Sequence, residues 1–326
     1  MSLKENRTQI LLINMCTCIK TKTNYNFFGR NMDLDYDFDG KVIVVSRKFI
    51  LRYKIVHDMK EHFAFIGMGK MLKNYPFFAD GINEHGLSIA ALRFEGYAKY
   101  NNAKSDKINL APYEIIPFFL GKCRNVKEAL IYLNNLNIIN FDYDEDIKVS
   151  SLHWMISDKD ESYIIEQTQD GLKLYKNPYH VLTNHPKFEY HLENIKNYTF
   201  INNQIRASNF SNKLNVGDMG LGSSTFSLPG DFTSPSRFVR AAYLANNLVC
   251  ELEYSLSLMQ FFEVLNNVSF IKGAVLTENN RFEFTCYSSC MDQDLIIYRY
   301  KTYKCPCFKE FKLFNYEISE DKIYIF

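Results

Sequence analysis

The sequence predicts a layered α+β fold formed by one domain. Short strand-like runs come first, then helical periodicity, more strands, more helices and a last group of strands. No repeat, low-complexity tract or linker divides this succession. With 326 residues, 47% of them hydrophobic and including 27 Phe and 22 Tyr, the chain is long and apolar enough to bury a sizeable core. We therefore expect a single α+β domain over most of the chain.

The first half of the chain supplies strands and then a pair of helices. Apolar runs bounded by Gly, Asp or Asn predict strands at residues 41–45, 62–67 and 87–94. Helical spacing follows at residues 112–120 and 126–136. Pro117 weakens the first of these helices, because proline has no backbone N–H to donate. We expect the two helices to cover one face of a sheet.

The second half repeats this order after a long excursion. Three more strands are predicted at residues 151–156, 162–166 and 180–183. Residues 188–227 are rich in Asn, Ser and Gly, so we expect a long excursion with helix only near 190–198, used in assembly. Two helices are then predicted, one with Ser234 as its cap and Pro235 as its first residue, the other at 255–268. The last predicted strands are at residues 283–288, 295–300 and 311–316.

Charge and hydropathy exclude two classes of partner. The 38 Lys and Arg balance 37 Asp and Glu, and no long run has a single sign, so neither nucleic acid nor an anionic membrane surface is an expected partner. No stretch approaches the roughly 20 apolar residues of a membrane helix. The short apolar run at residues 10–13 lacks the cleavage site of a secretory signal. We expect a cytoplasmic protein that acts on a small molecule.

The cysteines indicate reduced thiols and no metal centre. Eight cysteines are too few for a disulfide scaffold of this length, and none has the Cys-x-x-Cys spacing of common zinc sites. The close pairs Cys16/Cys18 and Cys305/Cys307 would form a zinc site only if two distant loops met in tetrahedral geometry. We therefore expect no metal and no cofactor.

One cysteine stands in a position that suggests catalysis. If the bond before Cys16 is cut, its own α-amine can take the thiol proton. The unperturbed pKa values, about 8.5 for a thiol and roughly 7.7 to 8.0 for an α-amine, make this transfer cost only about 1 kcal/mol. Residues 1–15 would then be a propeptide that is removed, or an upstream extension before a true start at Met15. Residues 16–326 would form the mature domain.

Six blocks of the sequence form a recognisable series. They are Met15-Cys16-Thr17; Phe28-Gly29-Arg30-Asn31-Met32-Asp33; Asp80-Gly81-Ile82-Asn83-Glu84-His85-Gly86-Leu87; Val181-Leu182-Thr183-Asn184-His185-Pro186; Leu228-Pro229-Gly230-Asp231-Phe232 with Ser236-Arg237-Phe238-Val239-Arg240; and Tyr287-Ser288-Ser289-Cys290-Met291. In content and order they resemble the choloylglycine hydrolase family, which includes bile salt hydrolases and penicillin V acylases. The resemblance implies an N-terminal-nucleophile hydrolase with a four-layer αββα sandwich, which cleaves non-peptide amide bonds. It also implies a homotetramer.

The resemblance makes Cys16 the nucleophile and its α-amine the base, and physical reasoning adds two partners. An ammonium at the new terminus needs a carboxylate, which Asp33 supplies, and a cation such as Arg30 would hold the thiolate. Both follow Cys16 on the expected second strand of a hairpin. The resemblance assigns Asn184 to the oxyanion and makes Arg237, in the first turn of a helix, an active-site arginine.

One position departs from the family pattern and leaves the substrate open. Where bile salt hydrolases typically have Asn and penicillin V acylases Tyr, this chain has Arg93. Its backbone N–H can still serve the oxyanion, while its side chain favours a substrate with a carboxylate or sulfonate. Conjugated bile salts are the leading expectation. Penicillin V, which the run at residues 229–233 favours, an N-acyl homoserine lactone or another acylated amine follows.

Each assignment has a purely structural alternative. Cys16 could be a buried strand cysteine, and Arg30 with Asp33 a structural ion pair. Asn184 could cap a turn, and Arg237 could be a surface cation of its helix. For the whole chain, the alternative of another class is a non-catalytic binding protein of the same fold whose leader is retained. A Cys/His dyad has little support, since none of the candidate histidines has a suitable spacing: His85, His185 and His191.

Overall fold

A computed structural model describes residues 15–205, 211–214, 216–217 and 219–326. The predicted leader therefore lies outside the described residues except for Met15, as does part of the excursion at 188–227. The chain forms sixteen strands in the described part, in the order β1 Met15–Lys22, β2 Asn26–Leu34, β3 Lys41–Val45, β4 Phe65–Leu72, β5 Tyr75–Asn83, β6 Ser88–Arg93, β7 Ile108–Leu110, β8 Leu136–Ile138, β9 Leu152–Ser157, β10 Ser162–Thr168, β11 Gly171–Lys176, β12 Val181–Leu182, β13 Phe284–Asp292, β14 Ile297–Thr302, β15 Cys305–Lys312 and β16 Ile323–Ile325.

Five α-helices accompany these strands among the described residues: α1 Ile115–Lys122, α2 Val126–Leu133, α3 Phe188–Asn194, α4 Ser234–Asn246 and α5 Tyr254–Asn266. Short 3-10 turns occur at Pro112–Glu114, Ile195–Tyr198, Ser223–Thr225 and Leu313–Asn315. Across the described ranges, no helix has both the length and the apolar character that crossing a membrane requires.

The strands form two large sheets. One has six strands in the order β12-β1-β2-β13-β14-β15, and the other has eight in the order β11-β10-β9-β6-β5-β4-β3-β16. A small parallel pair, β7 and β8, stands apart from them. The close approach of β2 to β13 requires glycine at position 29, because a Cβ there would lie 2.0 Å from the carbonyl oxygen of Ser289. This glycine belongs to the Phe28–Asp33 block.

The two sheets face each other and helices cover their outer faces. Neighbouring residues of a strand point to opposite faces. On β5, Asp80 reaches tyrosines of the six-stranded sheet, while a Cβ on Gly81 would meet Leu120 of α1. On β2, Arg30 reaches the eight-stranded sheet, while Asn31 donates to the carbonyl of Leu265 in α5. The layers are thus helix, sheet, sheet, helix.

Several predicted elements need correction. The strand predicted at residues 311–316 is wrong, since β15 ends at Lys312 and a 3-10 turn follows. Five strands were missed altogether: β5, β7, β8, β11 and β16, and the helix predicted at residues 126–136 ends at Leu133 before β8 begins. All nine residues of β5 are buried, because both of its faces are covered, so it lacks the alternation that marks a half-exposed strand. Contacts that residues of these buried strands make with other strands were therefore not predicted either.

Two predictions about helix starts also change. The helix cap is Thr233 and not Ser234, and α4 begins one residue earlier than predicted. The Ser234 hydroxyl instead accepts a hydrogen bond from the backbone N–H of Asn184 at 2.9 Å. Pro117 does not weaken α1, because it lies in the first turn, where backbone N–H groups have no partner within the helix.

Candidate active site

The hairpin of β1 and β2 brings three of the predicted site residues together. Met15 lies opposite Asp33, and Cys18 lies opposite Arg30. Cys16 lies on β1 between these pairs, and its side chain is fully buried. The predicted strand pair is therefore present, and it carries Cys16, Arg30 and Asp33 as the sequence indicated.

The Cys16 thiol is in contact with a cation. Arg30 donates a hydrogen bond from Nη2 to the sulfur. Burial raises the pKa of the Cys16 thiol to about 11, and the charge of Arg30 is the largest influence that opposes this rise. A neighbouring guanidinium stabilises the thiolate and not the thiol. Met15 is joined to Cys16 here, so the Cys16 nitrogen is a peptide nitrogen.

Arg30 is buried between the two sheets and held by backbone carbonyls. Its Nη1 donates to the carbonyl oxygens of Ala79, at 3.4 Å, and of Ala91. Its Nε donates to the carbonyl of Asn31 at 3.3 Å. These bonds come from β2, β5 and β6, so strands of both sheets fix the guanidinium with Nη2 towards Cys16.

Asp80, which the sequence analysis names only as part of a motif, lies near Arg30. Asp80 accepts hydrogen bonds from the hydroxyls of Tyr287 and Tyr298, each at 2.7 Å. Burial raises the pKa of Asp80, and the positive charge of Arg30 counteracts this most strongly. Asp80 thus supplies a buried counter-charge to Arg30. The signal that points to it is an aspartate in the middle of a fully buried strand.

Asp33 presents one oxygen that has no hydrogen-bond partner. Its Oδ1 accepts from the hydroxyl of Thr285 at 2.5 Å, while Oδ2 is buried and unpaired. Burial raises the pKa of Asp33 to about 6, opposed first by the charge of Arg237. An unpaired carboxylate oxygen beside the Met15–Cys16 junction is suited to receive an ammonium.

Asn184 connects Cys16 to Arg93. Its Oδ1 accepts from the backbone N–H of Cys16 at 2.8 Å and from Arg237 Nη2 at 2.9 Å, and its Nδ2 donates to the carbonyl of Arg93 at 3.0 Å. Two donors at Oδ1 and an acceptor at Nδ2 fix the orientation of the amide. Since Nδ2 carries two hydrogens, the amide can donate a second hydrogen bond besides the one to Arg93.

Arg237 is not a surface cation, so that alternative is wrong. The side chain is fully buried, and Nη1 donates to the carbonyl of Cys16 and to Thr17 Oγ1, both at 2.6 Å. Burial lowers the pKa of Arg237, and the carboxylate of Asp33 opposes this most strongly. From the first turn of α4 it therefore holds both the backbone of the candidate nucleophile and the Asn184 amide.

Arg93 lies at the end of β6, next to Asn184. Its side chain is about one quarter exposed, and its Nε lies 3.6 Å from Glu95 Oε2. The carboxylate of Glu95 therefore partly balances the charge that the sequence analysis placed near the substrate. The backbone of Arg93, which holds Asn184 through its carbonyl, is the part in direct contact with the site.

Sequence reasoning missed a second carboxyl group at the Met15–Cys16 junction. Glu283 is buried near the backbone of Met15, and its Oε1 has no hydrogen-bond partner. Burial raises the pKa of Glu283 to about 8, and the charge of Asp33 adds to the rise. The only signal in the sequence is a glutamate that begins an otherwise apolar strand.

The candidate histidines take other places. His191 interacts through Nε2 with the carbonyl of Asn184 at 3.1 Å, and His85 packs against the ring of Phe63. Within the described ranges, no group of three or more His, Cys, Asp or Glu side chains is arranged to hold a metal ion. Cys16 and Cys18 are buried, while Cys305 and Cys307 are exposed on the edge strand β15, so the two cysteine pairs do not meet.

Comparison with known proteins identifies the family. The model of the linear amide C–N hydrolases, choloylglycine hydrolase family, matches residues 16–326. The chain belongs to the choloylglycine hydrolase family. It is 40% identical to a bile salt hydrolase/transferase of Lactiplantibacillus plantarum over 289 residues, which is 89% of each chain. The fold resembles that of a mutant conjugated bile acid hydrolase from Clostridium perfringens, with TM-score 0.89, 32% identity and coverage of 95% and 96% of the two chains.

These matches confirm the family resemblance and the αββα fold predicted from the sequence. As a member of the choloylglycine hydrolase family, the chain is a hydrolase of linear amide C–N bonds. A penicillin V acylase from Agrobacterium tumefaciens has TM-score 0.76 at 20% identity, covering 95% of this chain and 90% of its own, and shares the fold. The roles of the individual site residues stay predictions.

Proposed function

We propose that this chain is an N-terminal cysteine amidohydrolase whose nucleophile is Cys16. The observation that carries the proposal is the double attachment of Cys16, whose sulfur accepts from Arg30 and whose nitrogen donates to Asn184. Once Met15 is removed, that nitrogen becomes an α-amine next to its own thiol. The amine then takes the thiol proton, and Arg30 stabilises the resulting thiolate.

The reaction then proceeds in two steps through a thioester. The thiolate attacks the amide carbonyl, and a tetrahedral oxyanion forms near Asn184 Nδ2 and the backbone N–H of Arg93. The α-ammonium returns its proton to the leaving nitrogen, so that an amine departs and a thioester remains. Water, deprotonated by the same α-amine, hydrolyses the thioester. The fixed orientation of the Asn184 amide supports its role as a donor.

Removal of Met15 is a condition of this mechanism. A peptide nitrogen has no basic lone pair, so an uncut chain has no base at Cys16. Residues 1–15 are therefore proposed to be removed before residues 16–326 act as one hydrolase domain. The unpaired oxygen of Asp33 supports this proposal, because it lies where the new ammonium would need a counter-charge.

Conjugated bile salts are the proposed substrates. Relatives named bile salt hydrolase/transferase and conjugated bile acid hydrolase support this choice over most of the chain. Arg93, whose backbone contacts Asn184 and whose guanidinium is partly exposed, suits the carboxylate or sulfonate of such a conjugate. Penicillin V, an N-acyl homoserine lactone or another acylated amine is the second choice, and an uncut binding protein is the alternative of another class.

The substrate proposal is tested by two assays on protein of known mass. We expect release of glycine or taurine from conjugated bile salts to be faster than removal of the side chain from penicillin V. Intact mass of the same preparation should match a chain that starts at Cys16. Turnover of neither substrate by correctly cut protein would contradict the proposal, and a retained leader without turnover would support the binding-protein alternative.

Arg93 and Glu95 provide the specificity control for this test. We expect Arg93→Asn to raise KM for anionic conjugates about 10-fold and to leave kcat nearly unchanged, since loss of a charge contact at a partly exposed site weakens ground-state and transition-state binding alike. Glu95→Gln should act in the opposite direction, because it frees the Arg93 charge from its carboxylate partner. Equal KM values in all three proteins would remove Arg93 from substrate binding.

A homotetramer and a cytoplasmic location are further proposals. Fractionation of expressing cells tests the location. The excursion at 188–227 exposes large apolar side chains, among them Met219, Leu221 and Phe226, which are 83%, 89% and 64% exposed. Such exposure in one segment is typical of a subunit contact. We expect light scattering to give the mass of a tetramer, with charged replacements at these three positions lowering it. A monomer at micromolar concentration would contradict the assembly.

A further inference from the structure

A buried histidine and glutamate lie directly behind Asn184 and take no part in the mechanism above. His153 on β9 and Glu166 on β10 are both fully buried. The Nδ1 of His153 lies 3.1 Å from Glu166 Oε1, and its Nε2 lies 3.0 Å from the carbonyl oxygen of Thr183. The imidazole therefore bridges a carboxyl group to the peptide bond that leads into Asn184.

The groups on either side of the imidazole fix its orientation. The carbonyl of Thr183 can only accept, so Nε2 must carry a hydrogen. On the other side, both oxygens of Glu166 accept the backbone N–H of Phe188, at 3.1 and 3.2 Å, and Oε1 also faces Nδ1 of His153. The two buried side chains therefore satisfy each other, and together they bind the backbone at Thr183 and at Phe188.

The peptide between Thr183 and Asn184 is held on both sides. Its carbonyl accepts from His153, and its N–H donates to Ser234 Oγ at 2.9 Å. The carbonyl of Asn184 itself interacts with His191. With three backbone groups bound, the Cα of Asn184 has little freedom to shift, and its side chain is directed between Cys16 and Arg93.

The same imidazole also contacts the other proposed oxyanion segment. The ring of Phe94 stacks on His153 with centroids 4.3 Å apart and an interplanar angle of 7°. Phe94 follows Arg93, whose backbone carries the second proposed donor. A single buried side chain thus packs against one oxyanion segment and is hydrogen-bonded to the other.

We propose that His153 and Glu166 are positioning residues that set the distance between the Asn184 amide and the Arg93 backbone. This inference rests on the proposed function, in which these two groups bind the oxyanion. Neither His153 nor Glu166 touches Cys16, so their effect is on the geometry of the donors and not on the nucleophile. Loss of one oxyanion donor costs about 10²- to 10³-fold in kcat, and partial misplacement should cost less.

The test compares two isosteric replacements of buried glutamates. Glu166→Gln replaces the carboxyl group that contacts His153 with an amide of the same size. Glu114→Gln is the matched control, because Glu114 is also buried beside a helix start and accepts backbone N–H groups of Lys54 and Ala111 at 2.7 and 2.8 Å. For each variant, kcat and KM for the best substrate, the rate of Cys16 alkylation by iodoacetamide and the thermal midpoint are measured.

We expect Glu166→Gln to lower kcat about 10-fold or more, with KM and the alkylation rate near the wild-type values. Glu114→Gln should keep kcat although it lowers the thermal midpoint. His153→Gln, which retains an amide donor, serves as a second variant if Glu166→Gln does not fold, and should also lower kcat selectively. Unchanged kcat in the folded variants, or a loss matched by Glu114→Gln or by the alkylation rate, would overturn the inference.

Failure of the proposed function is distinguishable from failure of this inference. If the correctly cut wild-type protein hydrolyses no amide, the function is wrong, and crystal structures of the two variants then decide the positioning role. Displacement of the Asn184 amide from Arg93 in Glu166→Gln alone would support that role. An Asn184 that keeps its contacts with Cys16 and Arg93 in Glu166→Gln would overturn it.

Discussion

Replacement of Cys16 by alanine is expected to abolish amide hydrolysis, and replacement by serine to remove most of it. Alanine has no nucleophile, while a serine hydroxyl gives up its proton to an α-amine far less readily than a thiol does. The arginine that contacts the sulfur stabilises a thiolate and gains little from a neutral hydroxyl. Amine release from the best substrate is measured at saturating concentration, with intact mass to record whether each variant has lost Met15.

Cys18 offers a matched control for this experiment. It is fully buried on the same strand, two residues further along, and lies opposite Arg30 in the hairpin. Because it has no α-amine beside its thiol, we expect Cys18→Ala to affect stability and to keep most of the turnover. A fully active Cys16→Ala protein would contradict the mechanism. An inactive Cys18→Ala protein of normal stability would contradict the assignment of the nucleophile to Cys16.

The part of the site that general residue patterns could predict without a family resemblance is the part that is local in the chain. Cys16, Arg30 and Asp33 lie on consecutive strands, so a hairpin alone brings them together. A hairpin is predictable because turn residues and strand propensity act over a few positions. Asn184 and Arg237 are distant in sequence, and they were found only because six blocks matched a family in order.

The rest of the site depends on how the sheets meet, which no local pattern records. Asp80 reaches two tyrosines of the opposite sheet, and Glu283 lies near the backbone of Met15 from a position just before β13, more than 260 residues later. Each looks in sequence like a polar residue interrupting or bordering an apolar run. Only the register of strands in both sheets shows that these groups are buried near charges, where their protonation is altered.

The same limit explains the errors in secondary structure. Strand β5 is buried on both faces, so it lacks the period of two on which a prediction from sequence relies. Strand β15 is exposed along almost its whole length, and its residues therefore carry no apolar alternation either. Both strands owe their position to neighbours that were predicted, which is why the layered α+β class was correct although individual strands were missed.

The second large effect is expected at Asp33. We predict that Asp33→Asn lowers kcat/KM by about 10²- to 10⁴-fold, because the α-amine then has no carboxylate to orient it as a base. Burial raises the pKa of Asp33 to about 6 in the chain that retains Met15. Removal of Met15 places an ammonium beside the unpaired Oδ2, which favours the ionised carboxylate and lowers this pKa.

The sign of the pH dependence follows from the same pair of charges. In the wild type, activity should fall as the pH drops, because protonation removes the α-amine as a base. The Asp33 carboxylate raises the pKa of this amine, so the fall begins at a higher pH. In Asp33→Asn this acid limb should move to lower pH, although the plateau is far lower. The profile of kcat/KM from pH 4 to 9 measures both changes.

Asp35→Asn is the control, since Asp35 lies two residues further along and contacts Thr277 and Arg281 instead. An acid limb that stays in place in Asp33→Asn, or an equal loss in Asp35→Asn, would show that Asp33 does not act on the amine.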